Sequence, residues 1–136
     1  MNRLILFRGK RLDNGQWVYG SLVRMLVDGR IATCICSVEE VGRGNKDVPS
    51  MGILYTLNKD IFMVDPATVG EYTGLIDKDG NKIFEGDILK YYKAITYVTF
   101  SLGEFHSVDC DNNRYCIVQS ACKIIGNIYD NPELLP

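Results

Sequence analysis

The chain has 136 residues, of which 46% are hydrophobic and 24% are charged, and its formal net charge is −2. These values exclude wholesale disorder and a chain that is basic throughout, and this length suffices to fold as one domain without a metal or disulfide. No apolar run reaches the ~18–20 residues of a membrane-spanning helix, and the run after Met1 is too short for a secretory signal. We therefore expect a cytoplasmic protein with no membrane partner and with reduced cysteines.

The N-terminal part predicts a β-meander of three strands. The strands are expected over residues 4–8, 16–25 and 30–38. Asn14-Gly15 and Asp28-Gly29 separate them, and both dipeptides favour tight hairpin turns because Gly adopts positive φ without strain.

The middle of the chain combines short apolar pieces with turn residues. Residues 39–52 contain Gly, Asn, Asp, Pro and Ser without an apolar period and predict an exposed loop. Residues 53–55 and 61–64 resemble short strands, and Asp65-Pro66 predicts a turn after them.

The best specified element is a hairpin within residues 69–91. Its turn lies at residues 77–82 and contains Gly80. The composition favours either a two-residue Asp-Gly loop or a three-residue loop closed by a Gly bulge. Gly86-Asp87 interrupts the pattern, and a strand resumes at residues 88–92.

The C-terminal part predicts further short strands. They are expected over residues 95–101, 105–108 and 122–129, and residues 115–118 form a further apolar piece that could be a strand. Residues 115–125 also fit a short helix, so that assignment stays open. Asn131 fits the N-cap and Pro132 the first position of one final helical turn.

Short strands with Gly-rich turns and no long helical period predict a mainly β fold with at most one or two short helices. We expect a single domain, residues 1–136, built as a small barrel or meander of short antiparallel strands. The hairpins at Gly15 and Gly80 resemble each other. Either residues 1–38 and 64–130 are related β subunits with SH3-like barrel character, or both hairpins follow the same turn rules.

The polar motifs predict neither a metal site nor a cofactor. In residues 77–81 the Gly comes too early for a calcium loop, so this segment is interpreted as a hairpin turn. The cysteines lack the close paired spacing of zinc knuckles, and we expect ordinary buried or half-buried thiols at Cys34, Cys36, Cys110, Cys116 and Cys122.

Glu85 and Asp87 are candidate binding residues because they flank Gly86, where a bulge can re-aim side chains. The alternative is that they only solvate a sheet edge. A small enzyme using these carboxylates with His106, the one histidine, is a further hypothesis, but no catalytic motif surrounds them.

Aromatic and basic residues suggest a second kind of binding face. Trp17 and Tyr19 share one side of a predicted strand, and Arg8 adds a positive charge nearby in the sequence. With Tyr91, Tyr92 and Tyr97 they form a candidate stacking surface for single-stranded nucleic acid. Packing in the core or an interface is the alternative.

Charge is distributed unevenly along the chain. Residues 1–30 carry six Lys and Arg against two Asp, a net +4, and residues 101–136 carry two basic against five acidic residues, a net −3. The uneven charge favours self-association in which a basic face meets an acidic face of another copy. Solvated strand faces are the alternative.

Three segments support a resemblance to a known family. They are Phe7-Arg8-Gly9-Lys10 with Trp17-Val18-Tyr19-Gly20, residues 64–77 with 83–88, and residues 125–135. On these segments the chain resembles the YopX family, small proteins encoded mostly by bacteriophages and prophages.

The resemblance implies a mainly β protein with some tendency to form homo-oligomers, located in the bacterial host cell. It supplies no enzymatic activity, so no catalytic residue is transferred. We therefore expect a non-catalytic phage accessory protein that binds a host or phage macromolecule or itself. Nucleic acid binding and a small enzyme are the alternatives.

Overall fold

A computed structural model of the chain describes residues 3–37 and 60–136. Over these residues the chain forms eleven strands and two single 3₁₀ turns, with no α-helix. The predicted mainly β class is confirmed, and the described strands form open antiparallel sheets without closing into a barrel. The predicted loop at residues 39–52 and the predicted strand at residues 53–55 lie outside the described residues.

The chain divides into two compact units. The N-terminal unit is Ile5–Val69, and the C-terminal unit is Gly70–Pro136 together with Met1–Leu4.

The N-terminal unit contains four antiparallel strands in the spatial order β4-β3-β2-β1. They are β1 (Phe7–Lys10), β2 (Trp17–Val27), β3 (Arg30–Ser37) and β4 (Ile61–Met63). The β2–β3 turn is the predicted tight one, because Asp28 and Gly29 both have positive φ, 49° and 78°. The predicted turn at Asp65-Pro66 is a 3₁₀ turn, Pro66–Thr68, in which the Asp65 side chain accepts the N–H of Ala67.

The core of the N-terminal unit lies on one face of this sheet. Val18, Ile35 and Val64 are buried there, and Phe7, Phe62 and Val69 pack against them. Position 20 requires glycine because the backbone of β3 lies very close to it: an added Cβ would lie 1.9 Å from the carbonyl oxygen of Cys36.

The C-terminal unit contains a hairpin and a five-stranded sheet. The hairpin is β5 (Gly70–Ile76) and β6 (Lys82–Phe84), and the sheet has the order β10-β9-β8-β7-β11. Its strands are β7 (Asp87–Tyr91), β8 (Ala94–Ser101), β9 (Glu104–Val108), β10 (Arg114–Tyr115) and β11 (Lys123–Asn127). Of the two predicted loops for the hairpin the three-residue one forms, with Gly80 at φ 85° and its N–H donated to the carbonyl of Asp77.

Two predictions for the C-terminal unit need correction. Strand pairing ends at Tyr115, and residues 116–122 form neither strand nor helix, with a turn at residues 119–121. Ile117 and Cys122 from this segment instead join the core of Ile83, Leu89 and Val98. A final 3₁₀ turn forms at Pro132–Leu134, but Asn131 does not cap it through its side chain. The Asn131 Oδ1 instead accepts the N–H of Asn127 at 3.3 Å.

Candidate functional site

Three predicted binding residues meet on one face of the β1–β2 ladder. Arg8 lies opposite Tyr19, and Lys10 lies opposite Trp17. The Arg8 guanidinium is 4.7 Å and the Lys10 ammonium 5.5 Å from the centre of the Trp17 ring. Arg8 is 5% exposed and Tyr19 is 45% exposed. This cluster therefore holds two cations against an indole, an arrangement that stabilises the sheet face, and it presents the Tyr19 ring to solvent.

The other predicted residues, Glu85, Asp87 and Tyr91, belong to the C-terminal unit. The Glu85 carboxylate accepts the N–H of Glu71 at 2.9 Å. Asp87 is buried, and its carboxylate accepts the N–H of Phe84 at 2.7 Å. The two carboxylates therefore satisfy backbone donors of β5 and β6, as buried polar groups usually do. Tyr91 is half-buried, and its ring packs edge-on against Tyr92.

His106 lies in a hydrogen-bonded group at the β8–β9–β10 end of the sheet. Its Nε2 is 3.2 Å from the Ser101 Oγ, and its Nδ1 is 3.3 Å from the carbonyl oxygen of Glu104. Arg114 lies 3.3 Å from the same Nδ1 and forms an ion pair with the Glu104 carboxylate at 2.7 Å. His106 itself is 4% exposed, so its ring is enclosed by this network.

The thiols show no metal-binding arrangement. All five cysteines are free. Cys34, Cys36 and Cys122 are buried as predicted, but the prediction is wrong for Cys110 and Cys116, which are exposed. Burial raises the pKa of the Cys34 thiol. Among the described residues no group of three His, Cys, Asp or Glu side chains is placed to hold a metal ion. In the same part of the chain no helix is long and apolar enough to cross a bilayer.

The outer half of the β2–β3 hairpin exposes apolar side chains that sequence reasoning did not single out. Leu26 and Ile31 lie directly opposite each other and are 74% and 71% exposed. Leu22, on the same face, is 39% exposed. This face carries the core residues Val18 and Ile35 at its other end. The signal in the sequence is the alternation of apolar residues, which continues past the core.

Comparisons with known proteins give a family and a fold. Residues 6–136 match the family model described as YopX protein. The crystal structure of protein EF1440 from Enterococcus faecalis is similar, with a TM-score of 0.59 and 22% sequence identity, over 99% of this chain and 100% of that chain. At this identity the likeness concerns the fold alone. No curated protein matches.

Proposed function

The chain belongs to the YopX family, and from that premise we propose that it is a non-catalytic accessory protein of a phage or prophage, acting in the host cytoplasm. Its binding element is the outer half of the β2–β3 hairpin. The observation that carries the proposal is the facing pair Leu26 and Ile31, which are 74% and 71% exposed.

Exposed apolar side chains of this kind favour a protein partner. Single exposed apolar residues are ordinary, but adjacent ones that form a continuous patch mark interaction surfaces. Leu26 and Ile31 lie directly opposite each other on two paired strands and form such a patch, which we call the hairpin patch. Leu22 lies on the same face, beyond Arg24. Covering them with apolar surface gains about 25 cal/mol per Å² removed from water.

A second copy of the chain is the partner that the charges favour. Arg24 is exposed on the same face of β2, two residues before Leu26, and places a positive charge beside the patch. Residues 70–136 carry six basic against ten acidic residues, a net −4. This unit also exposes apolar residues at the β8–β9 turn, Phe100 at 51% and Leu102 at 85%. An acidic unit with an apolar tip complements an apolar patch that carries the positive charge of Arg24.

Light scattering and sedimentation velocity test this proposal. We expect the unmodified chain to self-associate, and Leu26→Ser with Ile31→Ser to shift it toward monomer. Ile76→Ser is the matched control, since Ile76 is an exposed apolar strand residue outside the β2–β3 hairpin. A chain that stays monomeric at every soluble concentration, or a control that dissociates equally, would contradict self-association through this hairpin.

The proposal gives Glu85, Asp87 and His106 no catalytic role. Its support is that the two carboxylates accept backbone N–H bonds and that the imidazole is enclosed. Turnover of a substrate that Asp87→Asn abolishes, in a protein that remains folded, would overturn the non-catalytic assignment.

The aromatic cluster favours nucleic acid as a second candidate ligand. The supporting observation is that Tyr19 is exposed next to Arg8 and close to Lys10. Stacking of a base on the Tyr19 ring would contribute about 1–3 kcal/mol per base. Binding of a single-stranded oligonucleotide should weaken steeply with salt and be reduced by Tyr19→Ala. Affinity that is independent of salt would exclude this candidate.

A further inference from the structure

The C-terminal unit contains a small cavity of about 180 Å³ that the proposed function does not use. Strands β7, β8, β9 and β10 contribute Leu89, Tyr91, Thr96, Ser107 and Tyr115 to its lining. Residues 116–118 and Cys122, from the segment that follows β10, complete it. The lining is mostly apolar and contains no charged side chain.

Two aliphatic hydroxyl groups interrupt this apolar lining. Thr96 is 2% exposed and Ser107 is 3% exposed, yet both line the cavity. Leu89 lies opposite Thr96, and Val98 lies opposite Ser107, so both hydroxyl residues share the sheet face that carries the apolar core. A hydroxyl group that lines the cavity can both donate and accept a hydrogen bond.

The cavity's size and lining select a class of ligand. An apolar cavity of about 150 Å³ holds one benzene ring, so the space in this unit suits a single ring with one small substituent. The lack of charged lining residues disfavours anions and cations, because burying an unpaired charge is expensive. The hydroxyl groups of Thr96 and Ser107 favour a substituent that both donates and accepts a hydrogen bond.

From these observations we infer that the C-terminal unit binds an uncharged single-ring molecule bearing one hydroxyl group. The ring lies among Leu89, Tyr91 and Ile117, and its hydroxyl group contacts Thr96 and Ser107. Exposed Cys116 belongs to the lining, so a bound molecule covers part of the thiol's surroundings. This site is independent of the hairpin patch and of self-association.

Phenol, benzene and benzoate are suitable probes for the full-length chain. Amide NMR shifts of Thr96 and Ser107 should saturate with phenol, respond more weakly to benzene and not respond to benzoate. Thr96→Val with Ser107→Ala should weaken phenol binding about five- to tenfold, the loss expected for one hydrogen bond, and leave benzene binding unchanged. Thr99→Val is the matched control, because Thr99 lies on the other face of β8.

A second readout uses the thiol and does not require a hydroxyl variant to fold. In a Cys110→Ser background, Cys116 is the remaining exposed cysteine. Phenol should slow its alkylation, and benzoate should not. Failure of every probe to saturate, or equal binding of phenol and benzene with no effect of the hydroxyl variants, would overturn the inference.

Discussion

Asp77 and Asp109 close two turns with the same hydrogen-bonding pattern. In each turn the carboxylate Oδ1 accepts the backbone N–H groups two and four residues later, all at 2.9 Å. The Oδ2 accepts the side-chain amide of the asparagine four residues later, Asn81 or Asn113. Each aspartate also donates its own N–H to the carbonyl of that asparagine. Asp-x-Asp followed by Gly-Asn or Asn-Asn is therefore one turn design used twice.

The two turns differ in the last donor to the aspartate. Asp77 is 3% exposed, and its Oδ2 also accepts the N–H of Ile124, 47 residues away on β11. Asp109 instead accepts the hydroxyl of Tyr115, six residues away. Asp77 therefore connects the hairpin to the five-stranded sheet, whereas Asp109 organises a local turn. The consequence is a larger role for Asp77 in the stability of the C-terminal unit.

Acid should weaken the fold through Asp77. Burial acts to raise the pKa of this carboxyl, but hydrogen bonds from the N–H groups of Asn81 and Ile124 outweigh it and hold the pKa below the ordinary 3.8. A lowered folded-state pKa stabilises the protein above pH 3.8, and this contribution is lost as pH falls through the folded-state value. Asp77→Asn should cost about 2 kcal/mol near neutral pH, the scale of hydrogen bonds to a charged group.

Urea unfolding across the acidic range measures this effect. The difference in unfolding free energy between the parent chain and Asp77→Asn should shrink as pH falls. Asp79→Asn is the control, because Asp79 is an exposed residue of the same turn. An unchanged difference down to the acid limit would contradict the ionic role of Asp77.

Gly20 should not tolerate even an alanine. An added Cβ would lie 1.9 Å from a backbone oxygen on the neighbouring strand, and backbone cannot move aside as a flexible side chain can. We expect Gly20→Ala to cost at least roughly 3 kcal/mol, the upper range for overpacking. Gly15→Ala is the comparison: it has nothing within 4 Å and a φ of 70°, so only backbone strain of about 1–2 kcal/mol applies. Similar thermal stabilities for the two variants would be the contrary result.

Core and hairpin substitutions should separate stability from association. Ile83 is fully buried, and Ile83→Ala should destabilise the chain by about 2–5 kcal/mol. Leu26 is 74% exposed, so Leu26→Ser should change the unfolding free energy by no more than about 0.5 kcal/mol. If the hairpin patch is the docking element, Leu26→Ser should reduce self-association. Its melting temperature, measured under dilute conditions where the chain is monomeric, should stay unchanged. A large loss of monomer stability in that variant would instead assign Leu26 to the core.

Sequence reasoning succeeded where a structure depends on neighbouring residues. The turns at Asp28-Gly29 and at Gly80 follow from local backbone preferences. Arg8 and Trp17, which meet on the β1–β2 ladder, are also close in sequence. It failed where the partner is distant in sequence. The burial of Ile117 and Cys122 depends on a sheet face built by other strands, so residues 115–125 were ambiguous until that face was known.

The candidate sites show the same difference between local contacts, which the sequence predicts, and distant ones, which it does not. The sequence indicates that Glu85 and Asp87 are polar residues at a bend. No neighbouring residue indicates that their carboxylates accept hydrogen bonds from backbone N–H groups. Thr96 and Ser107 carry no motif, and only the cross-strand register places both on the apolar face of the sheet. The pattern Asp-x-Asp followed two residues later by Asn occurs at residues 77–81 and again at residues 109–113. This recurrence is the sequence signal from which the repeated turn could have been predicted.

Thiol reactivity should divide the five cysteines into two classes. The reacting species is the thiolate, so reactivity requires both exposure and deprotonation. Cys110 and Cys116 are exposed, whereas Cys34, Cys36 and Cys122 are buried. Burial raises the pKa of Cys36 and Cys122, and the nearby Asp60 and Asp77 carboxylates add to the effect. Both factors keep these thiols protonated and inaccessible in the folded chain.

An aromatic disulfide reagent counts the two classes directly. Two thiols should react quickly in the native protein, and the remaining three should react at the rate of unfolding or after denaturant is added. Cys110→Ser with Cys116→Ser should abolish the fast phase and leave the slow phase unchanged, which assigns each phase to its residues. A third thiol reacting in the fast phase would mean that the core around Cys122, or the β3 segment with Cys34 and Cys36, opens readily in the native state. A raised pKa only slows the reaction of a thiol, whereas burial prevents its contact with the reagent.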